Sequence, residues 1–451
     1  MLDTGRQYSR ATSGRRLRNL LNEVDSELQF VERSDLGPYV NWSSRSHAPL
    51  HRWLRYREAY NPDLIEKLGL NGRLLDPFCG CGSTLIGAAL NGRRSIGIDV
   101  NPLATFATRV KLKPLTTKEL GHAKRFLRAL DTDMVTAKPS PVPELSIAHK
   151  VFEPEILVCI QQIHNLIQEG DFSQATKDFL LLGWVSILEQ VGSYFKEGNG
   201  IKYRKKKRMP GRYENRPEGL WQIARFGLDQ KRFVYEKFVG QIAMMLSDTH
   251  VWKNGSWSEQ LVVEGSALQL NKIVGDESVD SIVFSPPYAN RFDYFESMKV
   301  ELWFGGFVKN YEDLRAIRKK SMRSHLAADL SQDTSVFDVL EGLIGEMDQS
   351  ASSWRMGVPN LLRGYFSDLF LVLQQAQRLV PKGTCNVVVG NSAFAGVIIP
   401  TDSLTALAGM SAGFRSAKIL TARHLTVSPQ QRVALGGFSS HMRESVVVLR
   451  N

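Results

Sequence analysis

Arg73-Leu74-Leu75-Asp76-Pro77-Phe78-Cys79-Gly80-Cys81-Gly82 is the stretch that decides the fold. Arg73 to Asp76 reads as a short apolar strand. Gly80 and Gly82 then turn the chain sharply, and glycine lets backbone approach a ligand without strain. Ser83 to Leu90 reads as a helix, ended by Asn91-Gly92. Arg94 to Asp99 is a second strand, and Asn101-Pro102 opens the next helix. Strand, glycine turn, helix and a strand ending in Asp make the βαβ unit of a dinucleotide-type fold. A P-loop is excluded, because no Gly-Lys-Ser/Thr follows the turn, and the third glycine of the nucleotide fingerprint is absent.

A second motif lies far downstream. Val279 to Phe284 reads as a strand and runs into Ser285-Pro286-Pro287-Tyr288. A site at the carboxyl end of a strand is where an open α/β sheet binds ligands. Two prolines fix the backbone there. The Ser285 hydroxyl and a neighbouring carbonyl are thereby preset as hydrogen-bond acceptors, and Tyr288 offers an aromatic face. Further strand signals fall at Gln260 to Glu264, Asn386 to Val389 and Glu444 to Leu449.

Between these strands the α/β rhythm breaks twice. Residues 114–257 are helical in pattern, with Phe179, Leu182, Trp184, Ile187 and Val191 on one strongly apolar helix and Phe233 to Leu246 on another. Residues 305–356 form a smaller, polar, helical interruption. Leu361 to Val380 is a long amphipathic helix. The N-terminal segment to about Ser34 is an amphipathic helical arm, with Leu17, Leu20, Leu21, Val24 and Leu28 at helical spacing. Four parts result: 1–70, an arm and flanking segment; 71–113, the first half of the sheet domain; 114–257, a helical insertion; and 258–451, the second half with its own insert.

The chain has 451 residues, 43% of them hydrophobic, and a net charge of +11. The isoelectric point is about 9.4 and the mean hydropathy -0.20. These values suit a soluble globular protein and favour a polyanionic partner. No apolar run approaches the ~20 residues needed to span a membrane, and Met1 to Arg6 has no secretory core. Cys79, Cys81, Cys159 and Cys385 have neither disulfide nor zinc spacing, so no metal is expected and a reducing cytoplasm fits. Residues 196–216 are rich in Lys and Arg. Their centre, Lys202-Tyr203-Arg204-Lys205-Lys206-Lys207-Arg208, with Tyr194, Tyr203 and Tyr213 interleaved, is the candidate for tracking phosphates.

Together these motifs resemble the DNA amino-methyltransferase family, whose members methylate cytosine N4 or adenine N6. Leu75-Asp76-Pro77-Phe78-Cys79-Gly80-Cys81-Gly82-Ser83-Thr84 looks like its cofactor motif. Gly97-Ile98-Asp99-Val100-Asn101-Pro102 looks like its ribose-binding strand end. Ser285-Pro286-Pro287-Tyr288 is similar to the catalytic motif in the form common among N4-cytosine members. Tyr294 to Phe304 and Arg443-Glu444-Ser445-Val446 are also familiar in that setting. The region His47 to Leu64 stands where the family contacts the methionine end of the cofactor.

The resemblance implies an α/β, Rossmann-like class I methyltransferase sheet, S-adenosylmethionine as cofactor and double-stranded DNA as substrate. Asp76, Pro77, Phe78, Gly80, Gly82, Thr84, Asp99 and Ser266 would hold the cofactor, with Asp99 accepting from the ribose hydroxyls and Ser266 near the adenine. Ser285, Pro286, Pro287 and Tyr288 would hold the target amine. An exocyclic amine is a poor nucleophile, so the site must align it and accept its hydrogens. Tyr288 would stack on an extruded base. The helical insertion would read the DNA sequence, and a cognate restriction endonuclease is an expected partner. Two departures bear on the base. Ser266 stands where an acidic residue often meets the adenine amine, and the cofactor motif precedes the catalytic one, unlike many N4-cytosine enzymes. Adenine N6, an RNA base, and an inactive nucleic-acid-binding subunit remain as alternatives.

Overall fold

The run Ser281-Ile282-Val283-Phe284 is buried at every position, the mark of a strand covered on both faces. In the computed structural model it lies inside an eight-stranded sheet. The structure describes residues 4–41, 48–56, 59–197, 200–203, 225–227, 229–275, 278–326, 328, 330, 337–426 and 435–451.

The strands of the sheet are, in chain order, β1 (Gln29–Glu32), β2 (Leu74–Asp76), β3 (Ser95–Asp99), β4 (Gln260–Glu264), β5 (Ser281–Phe284), β6 (Thr384–Gly390), β7 (Ser416–His424) and β8 (Arg443–Arg450). Their order in space is β1-β7-β8-β6-β5-β2-β3-β4. From β4 across to β6 the strands run parallel. β8 is antiparallel to both neighbours, and β1 joins the far edge parallel to β7. This is a Rossmann-like α/β sheet. The chain moves outward from β2 to β4, then returns to place β5 on the other side of β2. Such a reversal opens a crevice at the carboxyl ends of the strands.

Side-chain alternation divides the core. Val283, Val388, Val446 and Val448 face one cluster with Leu64, Ile65 and Ala88. Ile282, Phe284, Val387, Val447 and Leu449 face the other, against helices Val358–Leu379 and Thr401–Ser411.

Between β3 and β4 come helices Thr117–Thr136, Pro154–Glu169, Gln174–Val191 and Gln230–Asp248. They share one apolar cluster with Leu103 and Ala107 of helix Pro102–Leu112, and with Trp53 and Trp303. Asp248 fastens this layer to the segment before β2. Its carboxylate accepts from Arg52 Nε at 2.9 Å, Trp53 Nε1 at 3.0 Å and the Leu50 N–H at 3.3 Å. A hairpin of Tyr194–Glu197 and Gly200–Tyr203 is tied down by Glu301. The Glu301 carboxylate meets Lys196 Nζ at 2.7 Å and accepts from the Tyr194 hydroxyl at 3.1 Å.

Three elements differ from the sequence expectation. The N-terminal helix stops at Ser26, and Gln29–Glu32 adds a strand to the sheet edge instead of prolonging the arm. Phe30 and Val31 are good strand residues once β7 is there to pair with them. β7 itself carries no clear strand signal, since it opens with half-exposed Ala417 and Lys418. Residues 392–399 form a small antiparallel hairpin too short to announce itself in periodicity.

Candidate active site

A cleft opens beyond the carboxyl ends of β2, β3 and β5. Asp76, Pro77, Phe78, Gly80, Asp99, Ser285 and Pro287 all line it. The reversal of strand order brings these distant segments to one wall.

The glycine turn is held from behind. Gly80 has φ +48°, and a Cβ there would stand 3.1 Å from the Tyr56 ring. Its N–H donates to Asp99 Oδ2 at 2.9 Å, and its carbonyl accepts from Thr108 Oγ1 at 2.9 Å. Lys111, fully buried, donates from Nζ to the Cys81 carbonyl at 2.9 Å. Gly82 does not face the cleft. It caps helix Ser83–Leu90 at φ +88°, and a Cβ would meet Thr108 Cγ2 at 2.7 Å.

The two aspartates have different duties. Asp76 is 2% exposed. Its Oδ1 accepts the Phe78 N–H at 2.9 Å, and its Oδ2 accepts the Tyr60 hydroxyl at 3.1 Å and the Thr84 hydroxyl. Asp76 and Thr84 therefore brace the turn from inside, and Thr84 is behind the cleft rather than on its wall. Burial raises the Asp76 carboxyl to about 7 despite these bonds. Asp99 sits at the rim. Each oxygen takes one backbone N–H, from Gly80 at 2.9 Å and Asn101 at 2.8 Å. Each thus keeps a lone pair for a ligand hydroxyl. Burial raises Asp99 to about 6.

Aromatic rings supply the remaining walls. Tyr56 lies near-parallel to Tyr294 with centroids 6.3 Å apart, and both line the cleft together with Tyr60 and Phe295. Tyr56 and Tyr60 fall within the His47–Leu64 region, in which no individual ligand stands out from sequence. Their spacing carries no motif, and only the fold brings Tyr56 over Gly80 and Tyr60 against Asp76 and Thr84. A strap of Lys320, Ser321, Met322, Ser324 and His325, from the polar interruption, closes the cleft on another side. No sequence signal points to it. Ser266 binds this strap: its hydroxyl donates to the Lys320 carbonyl at 2.5 Å and accepts the Leu268 N–H at 3.2 Å. Ala267, not Ser266, lines the cleft.

The Ser285–Tyr288 turn contributes to this cleft and also to a second one. Ser285 and Pro287 face the first, Pro286 is buried between, and Tyr288 faces the second. Asn41, Asn290, Asn391, Ser392, Arg423 and Glu444 line the second cleft with it. The Tyr288 hydroxyl donates to Glu444 Oε1 at 2.7 Å, and Arg423 Nε meets Glu444 Oε2 at 2.5 Å. Glu444 belongs to the familiar ending Arg443-Glu444-Ser445-Val446. Its role becomes visible only when β8 lies beside β6. Lys202 is exposed at the end of the 194–203 hairpin. Arg204, Lys205, Lys206, Lys207, Arg208 and Tyr213 lie outside the described residues.

Among the described residues no group of three His, Cys, Asp or Glu side chains is placed to hold a metal ion. No described helix is long and apolar enough to cross a membrane.

No protein-family model matches the chain. Individual proteins do. The chain is 24% identical over 447 residues to the type II methyltransferase M.BsoBI of Geobacillus stearothermophilus, covering 91% of this chain and 87% of that protein. It is 22% identical over 413 residues to the type II methyltransferase M.AvaI of Anabaena variabilis, covering 84% and 82%. Over 227 residues it is 25% identical to the type II methyltransferase M.MvaI of Kocuria varians, covering 48% and 46%. Over most of its length the chain is thus similar to proteins named as type II methyltransferases, which supports the DNA methyltransferase family that its motifs resemble.

Proposed function

We propose that the protein transfers a methyl group from S-adenosylmethionine to the exocyclic amine of a base extruded from duplex DNA, with cytosine N4 as the target. The observation that carries this reading is the common wall: Gly80, Asp99 and Ser285 line one cleft, although they come from three different strand ends. The relatives act as type II methyltransferases by name, which supports the same chemistry here.

The residues fit an adenosyl cofactor. At Gly80 φ is +48° and a Cβ would crowd the Tyr56 ring at 3.1 Å, so glycine suits the cradle. Asp99 keeps lone pairs for the two ribose hydroxyls, and such charged hydrogen bonds contribute about 1.5–3 kcal/mol. Tyr56 and Tyr294 present aromatic faces, which attract cationic groups. When bound, S-adenosylmethionine supplies an electrophilic methyl group on a sulfonium centre. Asp76 and Thr84 act behind this surface by fixing the turn.

The turn Ser285-Pro286-Pro287-Tyr288 orients the acceptor. Ser285 accepts a hydrogen from the amine and keeps the nitrogen aimed into the first cleft. Tyr288 stacks on the base from the second cleft, with its ring held by Glu444. The second cleft suits a base edge: Ser392 Oγ is buried there without a hydrogen-bond partner among the described residues, and such a group gains by meeting a ligand. Serine at position 285 supports cytosine N4. The order of the two motifs favours adenine N6 as the second reading. The helical layer between β3 and β4, with Lys202 and the basic run beyond it, is the proposed surface for duplex DNA. A cognate restriction endonuclease is the expected companion, acting on the same DNA.

Single-turnover transfer of a labelled methyl group to duplex DNA tests the assignment. The wild type should label DNA, and Ser285→Ala should be slow at saturating cofactor while binding cofactor normally. Equal rates would remove Ser285 from the reaction.

A further inference from the structure

His325 is 2% exposed and lines the first cleft, yet neither of its ring nitrogens has a hydrogen-bond partner among the described residues. A buried polar group left unpaired is destabilising, so such a group in a binding cleft points to a ligand. Its position is firmly set. The strap that carries it is anchored at Lys320 by the Ser266 hydroxyl. It is anchored again at Arg323, whose N–H and guanidinium both bind Asp368, at 2.8 and 2.7 Å.

Ser266 follows β4, beside the slot expected for the adenine. Its hydroxyl already donates to one backbone group and accepts from another, so it has little to offer an adenine amine. The strap that it tethers brings an alternative. Nδ1 of His325 lies 4.0 Å from Asp293 Oδ2, and Asp293 is itself bound to Arg318 at 2.7 Å. A carboxylate on that side favours the tautomer with the proton on Nδ1. Nε2 is then the acceptor. Burial lowers the imidazole's affinity for a second proton, and Arg318 acts in the same direction, against the opposing pull of Asp293.

We infer that His325 is a cofactor-binding residue, whose Nε2 accepts a hydrogen bond from the exocyclic amine of the cofactor's adenine in place of the acidic residue absent at position 266. The inference rests on the reading of the first cleft as the S-adenosylmethionine site. It makes the polar interruption between β5 and β6 part of cofactor selection rather than a surface elaboration. It also explains why Ser266 serves the strap and not the ligand.

Calorimetry separates the two levels. The probes are S-adenosylhomocysteine and the same thioether carrying unsubstituted purine in place of adenine, so that only the amine is lost. The wild type should bind the adenine compound roughly tenfold more tightly, as expected for one buried hydrogen bond. His325→Leu, checked for folding by its melting curve, should bind both compounds alike, near the weaker value. If the wild type binds both compounds equally, His325 does not meet the amine, while the cofactor site stands. His325 is likewise excluded if His325→Leu still discriminates as the wild type does. If the wild type binds neither compound, the cofactor reading fails and the inference with it. If the variant does not fold, equal binding of the two compounds by the wild type still overturns the inference.

Discussion

The two clefts on either side of Ser285–Tyr288 are built on different principles. The first is walled by Tyr56, Tyr60, Phe78, Tyr294 and Phe295, and its Asp76 carboxylate is fully engaged within the protein. The second is walled by Asn41, Asn290, Asn391, Ser392 and the Arg423–Glu444 pair. The first suits a flat, partly cationic nucleoside derivative that stays in one pose. The second suits a base edge that must be recognised by hydrogen bonds and then released. One four-residue turn serves both, because Pro286 and Pro287 hold Ser285 and Tyr288 toward opposite sides. The amine would then reach past the turn, to the Ser285 side, where it meets the first cleft.

The comparison breaks first at Ser285. Ser285→Ala should slow single-turnover methyl transfer on the order of a hundredfold, as loss of one preorganised polar group does elsewhere. Cofactor affinity should not change, since the proposed cofactor contacts are made by Gly80 and Asp99. Ser285→Asp should retain more activity than Ser285→Ala, because a carboxylate also accepts from an amine.

Asp99→Ala should weaken cofactor binding by about 1.5–3 kcal/mol, roughly ten- to a hundredfold, read by calorimetry. DNA binding without cofactor should be spared. The pH dependence follows from the same residue. Ribose hydroxyls need the ionised carboxylate, so cofactor affinity should fall as pH drops through about 6, and Asp99→Asn should abolish that dependence. Stability of the free protein should run the other way. Both Asp99 and Asp76 are raised in the fold, to about 6 and about 7. Their contribution is greatest below the ordinary carboxylate range, near pH 4, and is lost as pH rises through those values. Melting curves between pH 4 and 8 check this, and a flatter profile in Asp99→Asn than in the wild type would identify its share.

Tyr288→Ala should weaken binding of target duplex by roughly 1–3 kcal/mol through lost stacking, with no effect on the cofactor. Tyr288→Phe sharpens the point. It keeps the ring and loses the hydroxyl that binds Glu444, so it should cost about 0.5–1.5 kcal/mol. Equal effects of the two variants would mean that the hydroxyl, not the ring, matters in the second cleft.

The smallest effect belongs to a residue in neither cleft. Lys202→Ala should lower the slope of log affinity against log salt by about one, uniformly across DNA sequences. A sequence-selective loss would instead make Lys202 a base reader.

The sheet half of the molecule is legible in sequence because its signals are local. Asp76, Gly80 and Asp99 belong to one βαβ unit, and Ser285 to Tyr288 follow an unbroken apolar strand. What is not legible depends on contacts between distant segments. Tyr56 and Tyr60 acquire their place only when the loop before β2 folds over Gly80. Glu444 meets Tyr288 only because β8 inserts antiparallel beside β6. The strap at 320–325 lies in a polar stretch whose composition suggests solvent, and its burial depends on Ser266 and Asp368. Thr84 and Gly82 look like ligand residues from the motif alone. Their side of the turn faces inward, where Asp76 and Thr108 use them.

Mass spectrometry of nucleosides from duplex DNA and from RNA, each incubated with the protein and S-adenosylmethionine, tests the central claim most directly. The account predicts N4-methylcytosine in the DNA, absent with Ser285→Ala, and no methylated base in the RNA. N6-methyladenine in the DNA would contradict the choice of base while leaving the two-cleft arrangement intact. Methylation of RNA alone, or of neither nucleic acid, would contradict the account itself.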